Sequence, residues 1–125
     1  MDIRDIEEAR RDTMIAAVEK ACAEVSAGRG VQTRLETTNR DAPAACAPAI
    51  VEALASVCSA NGFPYDRMVS RAYHDTLFMS RVTPVAMLFI PCRNGVSHRP
   101  DEYAKPEDID RGTKVLAETL AELSK

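Results

Sequence analysis

Apolar side chains recur every three to four positions in three stretches of this chain, and alternate or run together in shorter stretches between them. The first stretch carries Ile6, Met14, Ile15, Val18, Cys22 and Val25, the period of an amphipathic helix. Asp5 can cap that helix, with Glu8 at the capping-box position, and Gly28 and Gly30 stop it. Val31, Thr33, Leu35 and Thr37 then alternate with Gln32, Arg34 and Glu36, predicting a strand with one buried face. Asn39 to Pro48 reads as a loop and as the best boundary within the chain. Pro48 suits the first turn of a second helix, whose apolar face is Ile50, Val51, Leu54, Val57 and Cys58 and which Asn61-Gly62 ends. Met68-Val69 predicts a brief strand and Asp75 to Arg81 a short helix. Val85 to Ile90 is a continuous apolar run before Pro91, the pattern of a strand covered on both faces. Pro106 opens a last helix, with Glu107, Asp108 and Asp110 where the dipole favours acids, and with Ile109, Leu116, Leu120 and Leu123 on its apolar face. The order is βα-β, then α-β-α-β-α, with Asp2-Ile3-Arg4 as the tail of an opening strand. That is an α/β or α+β arrangement without an internal repeat. So short an opening strand buries little by itself, which points to a start inside a larger gene.

Composition narrows this only slightly. The chain has 125 residues, 46% of them hydrophobic and 28% charged, which suits a folded domain rather than a disordered segment. A net charge of −3 gives no global pull toward nucleic acid or an anionic membrane. No apolar run is long enough to span a bilayer, and the mixed-charge N-terminus is no signal peptide, so a cytoplasmic setting is expected. Cys22, Cys46, Cys58 and Cys92 form no C-x-x-C pair and no zinc-finger spacing; reduced structural thiols are the expectation.

The candidate chemistry lies in loops. His74 precedes Asp75, and His98 sits in Ser97-His98-Arg99-Pro100-Asp101-Glu102-Tyr103, just past the turn that leaves the apolar run. Loops at the ends of central strands are where α/β proteins place ligand-binding side chains. Local sequence alone nevertheless favours a surface or capping role for each histidine, because neither has a metal-ligand partner nearby. Asp101-Glu102 reads as a solvated pair or a helix-entry feature.

Several motifs taken together change that balance. Ser70-Arg71-Ala72-Tyr73-His74-Asp75-Thr76-Leu77-Phe78-Met79, Met87-Leu88-Phe89-Ile90-Pro91-Cys92, Ser97 to Tyr103 and Pro106-Glu107-Asp108-Ile109 resemble, in order and spacing, the C-terminus of a metal-dependent amidohydrolase family. Its members include N-carbamoyl-amino-acid hydrolases, β-ureidopropionases, allantoate amidohydrolases and ureidoglycolate amidohydrolases, within the zinc-peptidase-like superfamily. Asp2-Ile3-Arg4-Asp5 resembles, less strongly, a strand-end motif of the family's lid or dimerisation domain. The resemblance covers essentially the whole chain and less than half of a family member.

The resemblance implies a piece of a two-domain fold: residues 1–41 the second half of the lid domain, a βαβ unit, and 42–125 the C-terminal αβ part of the catalytic domain. It makes His98 a metal ligand, toward zinc or manganese in the complete enzyme. Arg4 becomes the residue that binds the substrate carboxylate, and His74 lies beside the substrate. Arg71 and Tyr73 stand where most members have glycine, and Thr76 replaces alanine, which is closer to the ureidoglycolate amidohydrolase subgroup. Tyr73 then reads either as a substrate-contacting hydroxyl or as a packing residue. The implied activity is hydrolysis of a ureido or carbamoyl C–N bond in a small substrate, by a homo-oligomer, with neither nucleic acid nor membrane as partner. Most metal ligands and the general base would lie upstream, so no catalytic residue is assigned here, tight metal binding is not expected, and the chain alone is expected to be inactive. The alternative is a non-catalytic remnant or a self-associating interaction module.

Overall fold

A computed structural model describes all 125 residues. It holds four α-helices: α1 (Glu8–Arg29), α2 (Pro48–Ala60), α3 (Thr76–Met79) and α4 (Pro106–Leu123), with a short 3-10 turn at Arg93–Gly95. Both proline-led helices start where the sequence places them, since a proline in the first turn gives up an N–H that would have no partner there. Gly30 ends α1 in the left-handed conformation, at φ 63°, which costs a residue without a Cβ nothing. The expected capping box of α1 does not form. Glu7 occupies the cap, while the Asp5 carboxylate accepts the Glu7 backbone N–H at 2.9 Å and takes Arg10 through both oxygens. Glu8 turns instead to Arg11.

The core is small. α2 and α4 are the only helices that pack on each other, and between them Val57, Cys58 and Val115 are buried, with Leu54 and Phe63 against them. Burying a valine there contributes roughly 1.5–3 kcal/mol. Thr119 is buried too, its hydroxyl satisfied by the Val115 carbonyl at 2.7 Å. The 85–90 segment lies across α4. Gly112 permits that approach, because a Cβ there would stand 2.5 Å from Ile90 Cγ2. At the start of the segment, Ala47 donates its N–H to the Val85 carbonyl at 2.7 Å.

The α/β expectation needs correction, because none of the segments 2–4, 31–37, 68–69 and 85–90 forms a β-ladder. A strand is completed by the N–H and C=O groups of a neighbour, and no backbone hydrogen bond joins any two of these segments. The burial expected for them fails for the same reason. Residues 31–37 are exposed throughout, and in the 85–90 run Leu88 and Phe89 remain open to solvent. The accessible surface totals 9854 Å², against about 6,600 Å² for a compact monomer of this mass.

Candidate functional site

Residues 70–81 are organised by short-range bonds. The hydroxyl of Ser70 meets His74 Nε2 at 2.7 Å, and the carbonyls of His74 and Asp75 accept the N–H groups that open α3. The His74 ring tilts against Phe89 of the 85–90 segment, 5.6 Å between centroids, so one imidazole edge is fixed by a hydroxyl and one face by an aromatic ring. Tyr73 sets its ring edge-on to Phe78 at 5.8 Å, and Arg81 lies over the same Phe78 ring.

Two long-range ties bring other parts of the chain here. Arg4 Nη1 donates to the Arg71 carbonyl at 2.6 Å, across 67 residues of sequence. The rest of its fork is taken by the Asp2 carboxylate, and Arg4 in turn holds Asp2 below the ordinary carboxylate range, chiefly by hydrogen bonding. The second tie is Asp41. Its carboxylate accepts the Tyr73 hydroxyl on one oxygen and Arg81 on the other, and these two donors, Tyr73 first, keep it ionised below the usual value. Its backbone carbonyl accepts a bond from the buried Arg11 of α1. Arg4 is therefore tied to the backbone of the loop that carries Tyr73 and His74.

His98 stands apart. The loop from Arg93 to Tyr103 is closed at its neck by Arg93 N–H on the Tyr103 carbonyl at 2.8 Å and by the Arg93 guanidinium over the Tyr103 ring. Near its tip His98 adopts φ 57°, a left-handed conformation that costs a side-chain-bearing residue about 1–2 kcal/mol. Glu102 Oε2 holds it there by accepting the His98 backbone N–H at 2.9 Å. The imidazole is exposed and makes no hydrogen bond within the chain, and no hydrogen bond or ion pair links this loop to residues 70–74.

No three His, Cys, Asp or Glu side chains of the chain converge in a way that could hold a metal ion. The donors present therefore do not make up a metal site by themselves. Sequence reasoning passed over Asp41, Asn39, Ser70 and Asp2. Ser70, four residues before His74, could have been found locally; Asp41 could not, since its side-chain partners lie 32 and 40 residues away.

Residues 18–122 match the model of Peptidase family M20/M25/M40. The chain belongs to this family. Among relatives it is 44% identical over 125 residues to the ureidoglycolate hydrolase of Oryza sativa subsp. japonica, covering 99% of this chain and 26% of that protein. It is 38% identical to an N-carbamoyl-L-amino-acid amidohydrolase of Pseudomonas sp. (strain NS671), over 96% of this chain and 29% of that one. A crystal structure of a hydantoinase/carbamoylase family amidase from Burkholderia ambifaria superposes with a TM-score of 0.78 at 39% identity, over 94% of this chain and 28% of that chain. The chain thus spans just over a quarter of the length of these family relatives. No helix in it is long and apolar enough to cross a membrane.

Proposed function

We propose that this chain supplies one edge of the active site of a metal-dependent amidohydrolase that cleaves a C–N bond in a ureido or carbamoyl substrate, the class that includes ureidoglycolate and N-carbamoyl amino acids. The observation that carries the reading is the bond from Arg4 to the Arg71 carbonyl. It ties a guanidinium fork, suited to a planar carboxylate, to the backbone of the loop that carries Tyr73 and His74. In this reading Arg4 takes the substrate carboxylate, and Tyr73 and His74 line the substrate. The left-handed backbone of His98 favours a functional role, since strain of this kind clusters at sites. His98 would give one donor to a zinc or manganese ion whose other ligands come from outside these residues.

Residues 1–41 would form part of a lid and dimerisation domain and 42–125 part of a zinc-peptidase-like catalytic domain. The 31–37 and 85–90 segments would act there as strands paired to neighbours beyond this chain. Exposed Met14, Val25, Val31 and Leu35 support a homo-oligomeric contact through the first of these domains, and four free cysteines support a reducing, cytoplasmic setting.

Calorimetry with N-carbamoylglycine tests the reading. The chain is expected to bind it weakly and to lose that binding in Arg4→Gln, while hydrolysing neither it nor ureidoglycolate and taking up zinc only weakly. Equal binding by Arg4→Gln would refute the role of Arg4, and turnover or tight stoichiometric zinc would refute the incompleteness of the site.

A further inference from the structure

We infer that Ser70 is a positioning residue that fixes the neutral His74 imidazole with its proton on Nδ1, so that the ring offers a ligand an N–H donor, the complement of a carbonyl or carboxylate oxygen. A neutral imidazole carries one such proton, and the bond made at one nitrogen decides which nitrogen holds it. The Ser70 hydroxyl lies 2.7 Å from His74 Nε2. That length suits an O–H donor and is short for an N–H donating to oxygen, which centres on about 2.9–3.0 Å. The Ser70 oxygen also accepts the Ala72 backbone N–H at 3.3 Å, while its own proton has no acceptor in the chain except Nε2. Ser70 therefore donates, Nε2 accepts, and the imidazole proton stands on Nδ1.

Turning the ring over does not restore the other tautomer. It would set a carbon against the Ser70 oxygen and lose the bond, and Phe89 lies against the ring at 5.6 Å between centroids. Nδ1 itself is open. The only hydrogen bond of the His74 side chain is the one at Nε2, and no enclosed side-chain nitrogen or oxygen lacks a partner, so this half-buried histidine shows Nδ1 to solvent. The use of that N–H against a ligand oxygen rests on the ligand edge proposed above, whereas the tautomer rests on Ser70 alone.

The chain has two histidines, and His98, exposed and without a hydrogen bond to its ring, is the internal reference for the tautomer mixture that water imposes. Two-bond proton–nitrogen NMR correlation reads both rings in the unliganded, isotope-labelled chain, held about two pH units above the ordinary imidazole value. His98→Gln assigns the signals, and amide dispersion checks the folding. The ratio of Nδ1–H to Nε2–H is expected to be greater at His74 than at His98 by about fivefold, the equilibrium counterpart of one ordinary hydrogen bond. Ser70→Ala is expected to bring His74 to the His98 ratio, and Ser70→Thr, which keeps the hydroxyl, to hold it near the wild-type value. Equal ratios at the two histidines of the wild type would overturn the inference, whether or not the alanine variant folds. A His74 ratio unmoved by Ser70→Ala would overturn it as well, reducing Ser70 to a structural contact. Addition of N-carbamoylglycine is expected to shift the His74 Nδ1 signal; no shift would defeat the ligand edge while the tautomer stood.

Discussion

Arg4 already holds a carboxylate, that of Asp2, through two nitrogens. In the proposed role, a ligand carboxylate arrives as a competitor, exchanging one forked pair for another, and its net gain is small because both partners are exposed. Asp2→Ala is expected to tighten binding of N-carbamoylglycine, read by calorimetry; weaker binding would mean that Asp2 orients the fork instead of occupying it. Asp5, next along the chain, is drawn down to about 2, first by the Arg10 guanidinium and then by the Glu7 N–H. A carboxyl whose folded value is depressed stabilises the fold fully above its unfolded value near 3.8 and loses that contribution as pH falls through the folded value. The start of α1 is thus expected to fray between about pH 4 and pH 2, visible as loss of helical circular dichroism that Asp5→Asn shifts to all pH values. A helix start indifferent to pH in that window would contradict this. Arg4, His74 and His98 stand out in the sequence only within the motifs that carry the family resemblance. The Asp41 network does not stand out at all, because nothing near residue 41 in sequence announces Tyr73 or Arg81.

At the scale of elements, α2 and α4 follow from residues close in sequence, a 3.6-residue apolar period and a proline at the start of each, whereas α1 buries no apolar face and is marked chiefly by the glycine that ends it. The segments read as strands form no ladder within this chain, since pairing is decided by whatever lies alongside. The packing of the 85–90 segment on α4 was also hidden, apart from one unexplained glycine in mid-helix. Gly112→Ala gains about 1 kcal/mol of helix propensity but forces a Cβ against the stiff, branched Ile90 side chain, an overpacking that costs about 1–3 kcal/mol. Net destabilisation is expected in urea unfolding, relieved when Ile90→Ala is added. A more stable single variant would show that this contact yields easily.

For the whole molecule, the decisive quantity is uncovered apolar surface. On α4, Ile109, Leu116, Leu120 and Leu123 are each about half exposed or more. With Leu54, Val85 and Leu88 several of them line an open apolar depression of about 370 Å³. Soluble monomers rarely leave so much contiguous apolar surface in water. Sedimentation velocity is expected to show species that grow with concentration and revert toward monomer in Leu120→Glu, whereas a single monomer boundary at all concentrations would contradict this. Secondary-structure periodicity marked this face of α4 as apolar but could not tell whether these 125 residues contain anything to cover it.

Arg4 is tied to the loop that carries Tyr73 and His74, while His98 stands on another. The most direct test of that arrangement is an NMR map of amide and side-chain shifts as N-carbamoylglycine is added. Shifts confined to Arg4, Ser70, Tyr73, His74 and Asp41, lost together in Arg4→Gln, are expected. Shifts spread along the α2–α4 groove, or none at Arg4 and His74, would contradict the assignment of this loop as the ligand-binding edge.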